Sequence, residues 1–323
     1  MRYLQHITKN KTKISNIDLK NLSIDDDDVL IRVKYSAICG SDISAFARTP
    51  STKNLVLGHE FSGIVINKGK NVSGVDLGRL YNIQPNIHCG ECKLCEQKSF
   101  SLCPNKVNYG GAMPGGFSDL CVVKSGCLQE VTGIDEELSC LLEPISCCIK
   151  AIKKCRLSGH ENVLILGSGF TGIIMSKLLS DAGHNVSVLD RKNVCLEKAL
   201  LAGASFTYTS LEDVEDSFGL IIDTTASTKL LQDCIGLIDS SGKLLLFGVC
   251  SENSSIKVDP HNLWKKEIQI ISSRSTGHDH TNALEFLKKN DISFIITHKL
   301  SLDDMLELGK VTDETYVKGI ICL

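Results

Sequence analysis

Residues 162–190, NVLILGSGFTGIIMSKLLSDAGHNVSVLD, constrain the fold more than any other stretch of this sequence. An apolar run at 163–166 is followed by G-x-G-x-x-G at 167–172 and then by apolar residues at helical spacing. A second apolar run, at 186–189, ends on Asp190. This order predicts a strand, a tight glycine turn, a helix and a second strand parallel to the first.

The strand-and-helix pattern continues downstream. Apolar runs at 219–225, 242–249 and 267–272 predict buried strands, and the stretch 229–238 predicts a helix between the first two. Strands that alternate with helices favour a doubly wound parallel sheet, with helices on both faces, over about residues 148–272.

The glycine turn has the spacing of a dinucleotide-binding loop. Glycines permit the tight turn and the close approach of a pyrophosphate, and the N-terminus of the following helix offers free N–H groups and a positive dipole. Asp190 is expected to accept hydrogen bonds from the ribose hydroxyls of NAD and to repel the 2′-phosphate of NADP, a preference that Arg191 weakens. The alternative is a glycine turn without a ligand. The loop residues expected at the cofactor are Gly167, Gly169, Phe170, Thr171 and Gly172.

Four cysteines lie within residues 89–103, CGECKLCEQKSFSLC, at the spacing C-x2-C-x2-C-x7-C. Two-residue gaps let successive sulfur atoms turn toward one point, and four tetrahedral thiolates are what zinc prefers in a closed structural site. An iron–sulfur cluster and four unrelated thiols are the alternatives, although the last gap in the ferredoxin pattern is three residues rather than seven. The predicted zinc ligands are Cys89, Cys92, Cys95 and Cys103.

A second set of candidate metal ligands is more widely spread. Cys39 lies in ICGSD, and His59 and Glu60 lie in LGHEFSG. Glu143 lies in the otherwise apolar LLEPIS, where an isolated carboxylate needs a partner. Three protein ligands with an exchangeable oxygen form a catalytic zinc site. Taken separately, a lone Cys39 is more often a core thiol, and His59–Glu60 is more often a surface pair.

The bulk properties indicate a two-domain globular protein. A chain of 323 residues is long for one hydrophobic core, and its net charge of −3 gives no reason to expect binding to nucleic acid or to a membrane surface. The start of the chain is polar and no apolar run approaches the ~20 residues that span a bilayer, so a cytoplasmic location is expected. The fifteen cysteines are interpreted as mostly reduced.

Five motifs follow one another along the chain: C-G-S-D at 39–42, G-H-E at 58–60, the four-cysteine segment, L-E-P at 142–144 and the glycine turn. This order resembles the zinc-dependent medium-chain dehydrogenase superfamily, and GGFSDLCVV (115–123) and SGKLLLFG (241–248) are also similar to its signature stretches. Glutamate as the distal ligand resembles the polyol branch, which includes sorbitol and galactitol-phosphate dehydrogenases.

The resemblance implies an α/β fold of two domains. A mostly-β, GroES-like catalytic domain would occupy residues 1–147 and 273–323, and a Rossmann domain that binds NAD would occupy residues 148–272. The same resemblance implies two zinc ions per chain and a homodimer or homotetramer. The four-cysteine segment would hold the structural zinc and stiffen a lobe of the catalytic domain.

Residue roles follow from the same resemblance. Cys39 and His59 match the first two ligands of the catalytic zinc, Glu143 matches the distal ligand, and Glu60 matches a glutamate that can coordinate or exchange with it. Ser41 matches the hydroxyl that relays the proton of the substrate.

Two further side chains acquire roles in the same way. Asp42 would orient a ligand, and Arg274, in SSRSTGHDH, matches an arginine at the substrate pocket that would bind a hydroxyl array or a phosphate.

Three departures from the family pattern bear on the substrate and the proton path. The usual G-D-R-V is LGRL at 77–80, so a common acidic residue is missing. Ser44 stands where the best-known alcohol dehydrogenases carry a relay histidine, so Ser41 would pass its proton to ribose hydroxyls or water. An aromatic residue found after C-G-S-D in sorbitol enzymes is replaced by ISAF at 43–46, which argues against sorbitol itself.

The expected reaction is hydride transfer between NAD and a secondary alcohol of a polyol, cyclitol, amino-alcohol or sugar-alcohol phosphate, which gives a ketone. One rival is a zinc-free NADPH-dependent quinone or enoyl reductase, which the combination of Cys39, His59 and Glu143 opposes. The other is a non-catalytic NAD-binding protein, which the intact Ser41 and ligand set oppose.

Overall fold

The computed structural model describes residues 1–18, 22–50, 55–276, 279–306 and 311–323. Contacts divide the chain into two compact units. The first unit comprises Met1–Ser146 with Thr276–Leu323, and the second unit comprises Cys147–Ser275.

The described part of the chain contains strands and helices that are numbered here in chain order. The strands are β1 (Arg2–Thr8), β2 (Lys11–Asn16), β3 (Asp28–Ala37), β4 (Leu55–Val56), β5 (Glu60–Lys68), β6 (Leu80–Ile83), β7 (Asn86–Ile87), β8 (Val107–Asn108), β9 (Leu120–Lys124), β10 (Leu128–Glu130), β11 (Asn162–Leu166), β12 (Asn185–Leu189), β13 (Phe206–Tyr208), β14 (Phe218–Asp223), β15 (Ile238–Leu246), β16 (Gln269–Ser272), β17 (Ile296–Leu300) and β18 (Lys318–Cys322). The helices are α1 (Gly40–Phe46), α2 (Lys93–Glu96), α3 (Leu142–Cys155), α4 (Phe170–Asp181), α5 (Asn193–Leu201), α6 (Thr228–Cys234), α7 (Pro260–Lys266) and α8 (His280–Lys289). None of these helices is long and apolar enough to cross a membrane.

The first unit is built mainly of antiparallel strands. Its largest sheet runs in the order β10-β6-β5-β3-β18-β17, with β9 also paired to β3, and a three-stranded sheet runs in the order β2-β1-β4. The alternating residues Val29, Ile31 and Val33 of β3 point into a core that also contains Phe61 and Val65. Full burial of such an apolar side chain stabilises the fold by about 1.5–3 kcal/mol, which fixes β3 and β5 against each other.

The second unit contains a six-stranded parallel sheet in the order β13-β12-β11-β14-β15-β16. Strand β11 pairs with β12 on one side and β14 on the other, and Val163 to Leu166 are fully buried. Apolar runs buried on both faces are typical of parallel strands that helices cover. The doubly wound sheet predicted from the sequence is therefore confirmed.

One strand of this sheet is shorter than the apolar pattern predicts. The run at 242–249 predicts a buried strand to its end, but β15 ends at Leu246 and Val249 is 92% exposed. The N–H groups of Phe247 and Gly248 both donate to the main-chain oxygen of Asp223, which turns the chain out of the parallel ladder.

Candidate active site

Strand pairing in the first unit brings three candidate ligands together. Strand β3 ends at Ala37, two residues before Cys39, and β5 begins at Glu60, one residue after His59. The antiparallel register aligns Ala37 with Glu60, so both ligand segments lie at the same end of the strand pair. The sulfur of Cys39, a ring nitrogen of His59 and a carboxylate oxygen of Glu60 all lie within 4.8 Å of one another.

The buried carboxylate of Asp42 orients two of these ligands. Its Oδ2 accepts a hydrogen bond from the Cys39 N–H at 3.0 Å, and its Oδ1 lies 3.3 Å from Nδ1 of His59. Burial by itself lowers the pKa of His59, but the adjacent Asp42 outweighs burial, so that the pKa is raised well above 6.5. With Nδ1 held by Asp42, Nε2 is the nitrogen left for a metal. Ser41 places its Oγ 3.5 Å from Nε2.

Lys318 belongs to this site although no sequence motif indicated it. Its Nζ donates to Oε2 of Glu60 at 2.5 Å and to the carbonyl oxygen of Ile38 at 3.0 Å. Burial by itself lowers the pKa of Lys318, but Glu60, followed by Cys39, raises it, so the amine stays charged. The sequence does contain one indication, a single lysine in the otherwise apolar strand KGIIC. Such a lysine predicts a nearby carboxylate or other partner, because a buried charge needs one.

Glu143 does not join the three converging residues. Among the described residues, this metal-ligand cluster contains Cys39, His59 and Glu60. Glu143 is buried in the first turn of α3, where the helix dipole favours a carboxylate, and its carbonyl accepts a hydrogen bond from the Ser146 hydroxyl at 2.7 Å.

The four cysteines of residues 89–103 converge on one point. Four of their six Sγ–Sγ distances are 3.5 to 4.0 Å and all four sulfur atoms lie within 4.8 Å of one another. A regular tetrahedron with Zn–S bonds of about 2.3 Å has sulfur–sulfur edges of about 3.8 Å. The backbone N–H groups of Glu91 and Cys92 lower the pKa of the Cys89 thiol to about 6, which favours its thiolate, whereas burial raises the pKa of the Cys95 thiol to about 12. None of the fifteen cysteines, all of which are described, forms a disulfide. The sulfur atoms of Cys89, Cys92, Cys95 and Cys103, called the sulfur cage below, therefore have a spacing that fits a single zinc ion.

The glycine turn of the second unit connects β11 to α4. Gly167 has φ +96°, which favours glycine, and a Cβ on Gly172 would lie 2.0 Å from the Gly167 carbonyl oxygen. A Cβ on Gly169 would meet no protein atom within 4 Å. Helix α4 begins at Phe170, followed by Thr171, so its first N–H groups lie beside this turn. The space above Gly169 is what a pyrophosphate requires.

Asp190 follows β12 and contacts the same turn. Its Oδ2 accepts a hydrogen bond from the backbone N–H of Ser168 at 2.6 Å, and its Oδ1 accepts one from the backbone N–H of Lys192 at 3.0 Å. The neighbouring Arg191 is exposed. The carboxylate is thus fixed next to the loop that is expected to hold a dinucleotide.

Arg274 lies at the end of the second unit. Its side chain is exposed, and its carbonyl oxygen accepts a hydrogen bond from Nζ of Lys150 at 2.8 Å. The guanidinium is therefore accessible to a ligand, but its position alone does not identify that ligand.

Two family models match the chain. Residues 25–133 match the alcohol dehydrogenase GroES-like domain, and residues 136–323 match the glucose dehydrogenase C-terminus. Together they confirm the two-domain class, GroES-like and Rossmann, that the motif order predicted.

Similar proteins agree with these matches. The chain is 28% identical to D-arabitol-phosphate dehydrogenase of Enterococcus avium, over 94% of this chain and 92% of that one. An alcohol dehydrogenase of Escherichia coli CFT073 complexed with NADH superposes with a TM-score of 0.92 and 23% identity, over 100% of this chain and 99% of that one. Galactitol-1-phosphate dehydrogenase of Escherichia coli gives a TM-score of 0.89 and 20% identity, over 100% of both chains. The chain therefore belongs to the zinc-dependent medium-chain alcohol dehydrogenase superfamily, with the C-terminal domain of the glucose dehydrogenase family.

Proposed function

We propose that this dehydrogenase oxidises a secondary alcohol of a polyol, cyclitol or sugar-alcohol phosphate to a ketone, with NAD as the hydride acceptor. The observation that carries the proposal is the convergence of Cys39, His59 and Glu60 within 4.8 Å, oriented by Asp42. The arabitol-phosphate and galactitol-1-phosphate dehydrogenases to which the chain is similar support the substrate class.

The side chains of the first unit fit a catalytic zinc ion. Cys39 and His59 would hold it together with a glutamate, either Glu143 or Glu60, in the discontinuous domain 1–147 and 273–323. Zinc bound there would polarise the hydroxyl oxygen of the alcohol and lower its pKa. The second zinc ion of the chain would be structural and held by the four cysteines of residues 89–103.

Ser41 is proposed to take the proton that the alcohol loses. Its Oγ lies beside Nε2 of His59, the ring nitrogen that Asp42 leaves for the metal, so the hydroxyl is next to the expected position of the substrate oxygen. Because Ser44 replaces the relay histidine of other family members, the proton would continue to ribose hydroxyls or water.

The domain at 148–272 is proposed to bind NAD. The loop from Gly167 to Gly172, with Phe170 and Thr171 at the start of α4, would hold the pyrophosphate. Asp190 would bind the ribose hydroxyls and select NAD against NADP, with Arg191 weakening that selection.

The substrate's remaining groups are assigned to Arg274. An exposed guanidinium can bind a phosphate through two parallel hydrogen bonds or can donate to several hydroxyls. Substitution of Arg274 by methionine would separate these roles, since it should raise KM far more for a sugar-alcohol phosphate than for the free polyol.

A homodimer or homotetramer in the cytoplasm is proposed as the working form. Strand β16 is an edge strand of the parallel sheet and presents the exposed Ile270, while the neighbouring helix α7 presents Trp264, which is 75% exposed. An apolar sheet edge is suited to pairing with a second copy. Fifteen cysteines without a disulfide agree with a reducing compartment.

The proposal is tested by incubating the purified enzyme with NAD and a panel of polyols and their phosphates while NADH absorbance is followed. Turnover should disappear in Cys39→Ser and persist in Cys322→Ser, which alters an exposed thiol of the same unit. NAD binding should survive in both variants. If no secondary alcohol reduces NAD, or if Cys39→Ser retains full turnover, the proposed reaction is wrong.

A further inference from the structure

Lys318 joins the two chain segments that carry the candidate catalytic ligands. Its amine donates both to Glu60 and to the carbonyl oxygen of Ile38, the residue immediately before Cys39. It is the first residue of β18, where it pairs in parallel with Ile296 of β17, and β18 pairs antiparallel with β3 from Ile320 onward, so the backbone ladders set its position. The side chains of Lys318 and Glu60 are 4% and 1% exposed.

Stability alone gives a poor reason for this buried ion pair. Removing two charges from water costs several kcal/mol per ion by typical values, and an apolar pair of similar volume is often as stable or more so. The pair lies beside Cys39 rather than in the apolar core of the unit. Its place in the molecule therefore suggests a role at the metal site.

Glu60 stands between two positive charges once a metal ion is bound. Its Oε2 already accepts a hydrogen bond from Lys318, while a carboxylate oxygen of the same group lies within 4.8 Å of the other two ligand atoms. A carboxylate shared in this way donates less charge to the metal than one that is free. If Glu60 bound the metal fully beside Cys39 and His59, all three protein ligands would be held tightly, whereas a weakly bound Glu60 can leave the metal and free a coordination position for the alcohol.

We propose that Lys318 is a positioning residue that keeps Glu60 a weak, exchangeable metal ligand and so leaves a coordination position open for the alcohol. This inference rests on the proposed function, because it assumes a zinc ion at Cys39 and His59. Lys318 touches neither the substrate nor the metal in this scheme and acts only through Glu60.

Two substitutions should change metal retention in opposite directions. Lys318→Met removes the competing charge, so Glu60 should bind the metal fully and zinc release to a chelator should slow by about tenfold. That is the size of change that altering an outer-shell partner typically causes, but with the opposite sign to the usual loss of affinity. In Lys318→Arg, the planar guanidinium can donate hydrogen bonds to both carboxylate oxygens of Glu60. Glu60 should then bind the metal less strongly, so zinc release should become faster. In cobalt-substituted protein, the visible absorption should shift toward higher coordination in Lys318→Met and toward lower coordination in Lys318→Arg.

Removing Glu60 provides the control. In the Glu60→Gln background, Lys318→Met should no longer slow zinc release, because the residue through which Lys318 acts is gone. Equal zinc release and unchanged cobalt spectra in the two single variants would overturn the proposal, as would an undiminished effect in the Glu60→Gln background. If Lys318→Met fails to fold, the comparison of Lys318→Arg with wild type still decides, since unchanged release contradicts the proposal.

Zinc content and zinc release together distinguish a wrong role for Lys318 from a wrong proposed function. If wild-type protein holds one zinc ion and Cys39→Ser still holds one, there is no catalytic zinc and the proposed function is wrong. If wild type holds two ions and Cys39→Ser holds one, while the Lys318 variants release zinc as wild type does, only the role of Lys318 is wrong.

Discussion

Replacement of Asp42 by asparagine tests how the metal site is oriented. The substitution preserves size but leaves one acceptor where two donors face the group, the Cys39 N–H at 3.0 Å and Nδ1 of His59 at 3.3 Å. If the new NH₂ faces His59, the ring must carry its proton on Nε2, which then cannot bind a metal. If the NH₂ faces Cys39 instead, it meets the Cys39 N–H, and two hydrogen-bond donors then face each other in a buried position. A buried group left unsatisfied costs about 1–3 kcal/mol.

The expected result is weaker zinc binding at the catalytic site. Loss of the group that orients a ligating histidine typically costs about 10–100-fold in metal affinity, or about 1.4–2.7 kcal/mol. The assay is competition for zinc with a chelator of known affinity, with the structural zinc counted separately through the Cys39→Ser variant.

The pH dependence of zinc binding gives a second readout. In wild type the Asp42 carboxylate raises the pKa of His59 against the lowering effect of burial, so a proton competes with zinc and affinity falls as pH falls through that pKa. Without the carboxylate, burial remains and the pKa drops. The fall in affinity should therefore begin at a lower pH in Asp42→Asn.

The matched control is Asp303→Asn, which alters an exposed carboxylate of the same unit. It should leave zinc affinity and its pH profile unchanged. Wild-type affinity in Asp42→Asn, with the fall starting at the same pH, would refute the orienting role of Asp42.

Three further predictions concern the cofactor loop and the sulfur cage. Gly169→Ala should keep wild-type thermal stability and lose NAD affinity, measured by fluorescence titration, whereas Gly172→Ala should lose both because its Cβ meets a carbonyl oxygen at 2.0 Å; equal melting temperatures would contradict this distinction. Asp190→Ser should lower kcat/KM with NAD and raise it with NADP by removing the carboxylate that repels the 2′-phosphate; an unchanged ratio would exclude that selection. Cys103→Ser should reduce zinc content by one ion per chain and lower the melting temperature, and full zinc content would show that these sulfurs hold no zinc.

Local sequence patterns were sufficient for the βαβ unit of residues 162–190 and for the convergence of the four cysteines. The strand, glycine turn, helix and acid of residues 162–190 form one continuous βαβ unit, whose order and spacing restrict it to one geometry. The four cysteines lie within fifteen residues, so their convergence requires only local turns. In both cases the interacting groups are close in sequence, and spacing alone restricts their arrangement.

The contacts between residues far apart in sequence could be assigned only from the tertiary structure. The convergence of Cys39 with His59 follows from the register of β3 against β5, which a list of motifs does not contain. The position of Lys318 beside Glu60, 258 residues away, depends on the C-terminal strand pairing with β3. A lone lysine in an apolar strand shows that a partner must exist, but only the tertiary packing decides which carboxylate it is, because burial removes the water that would otherwise satisfy both charges.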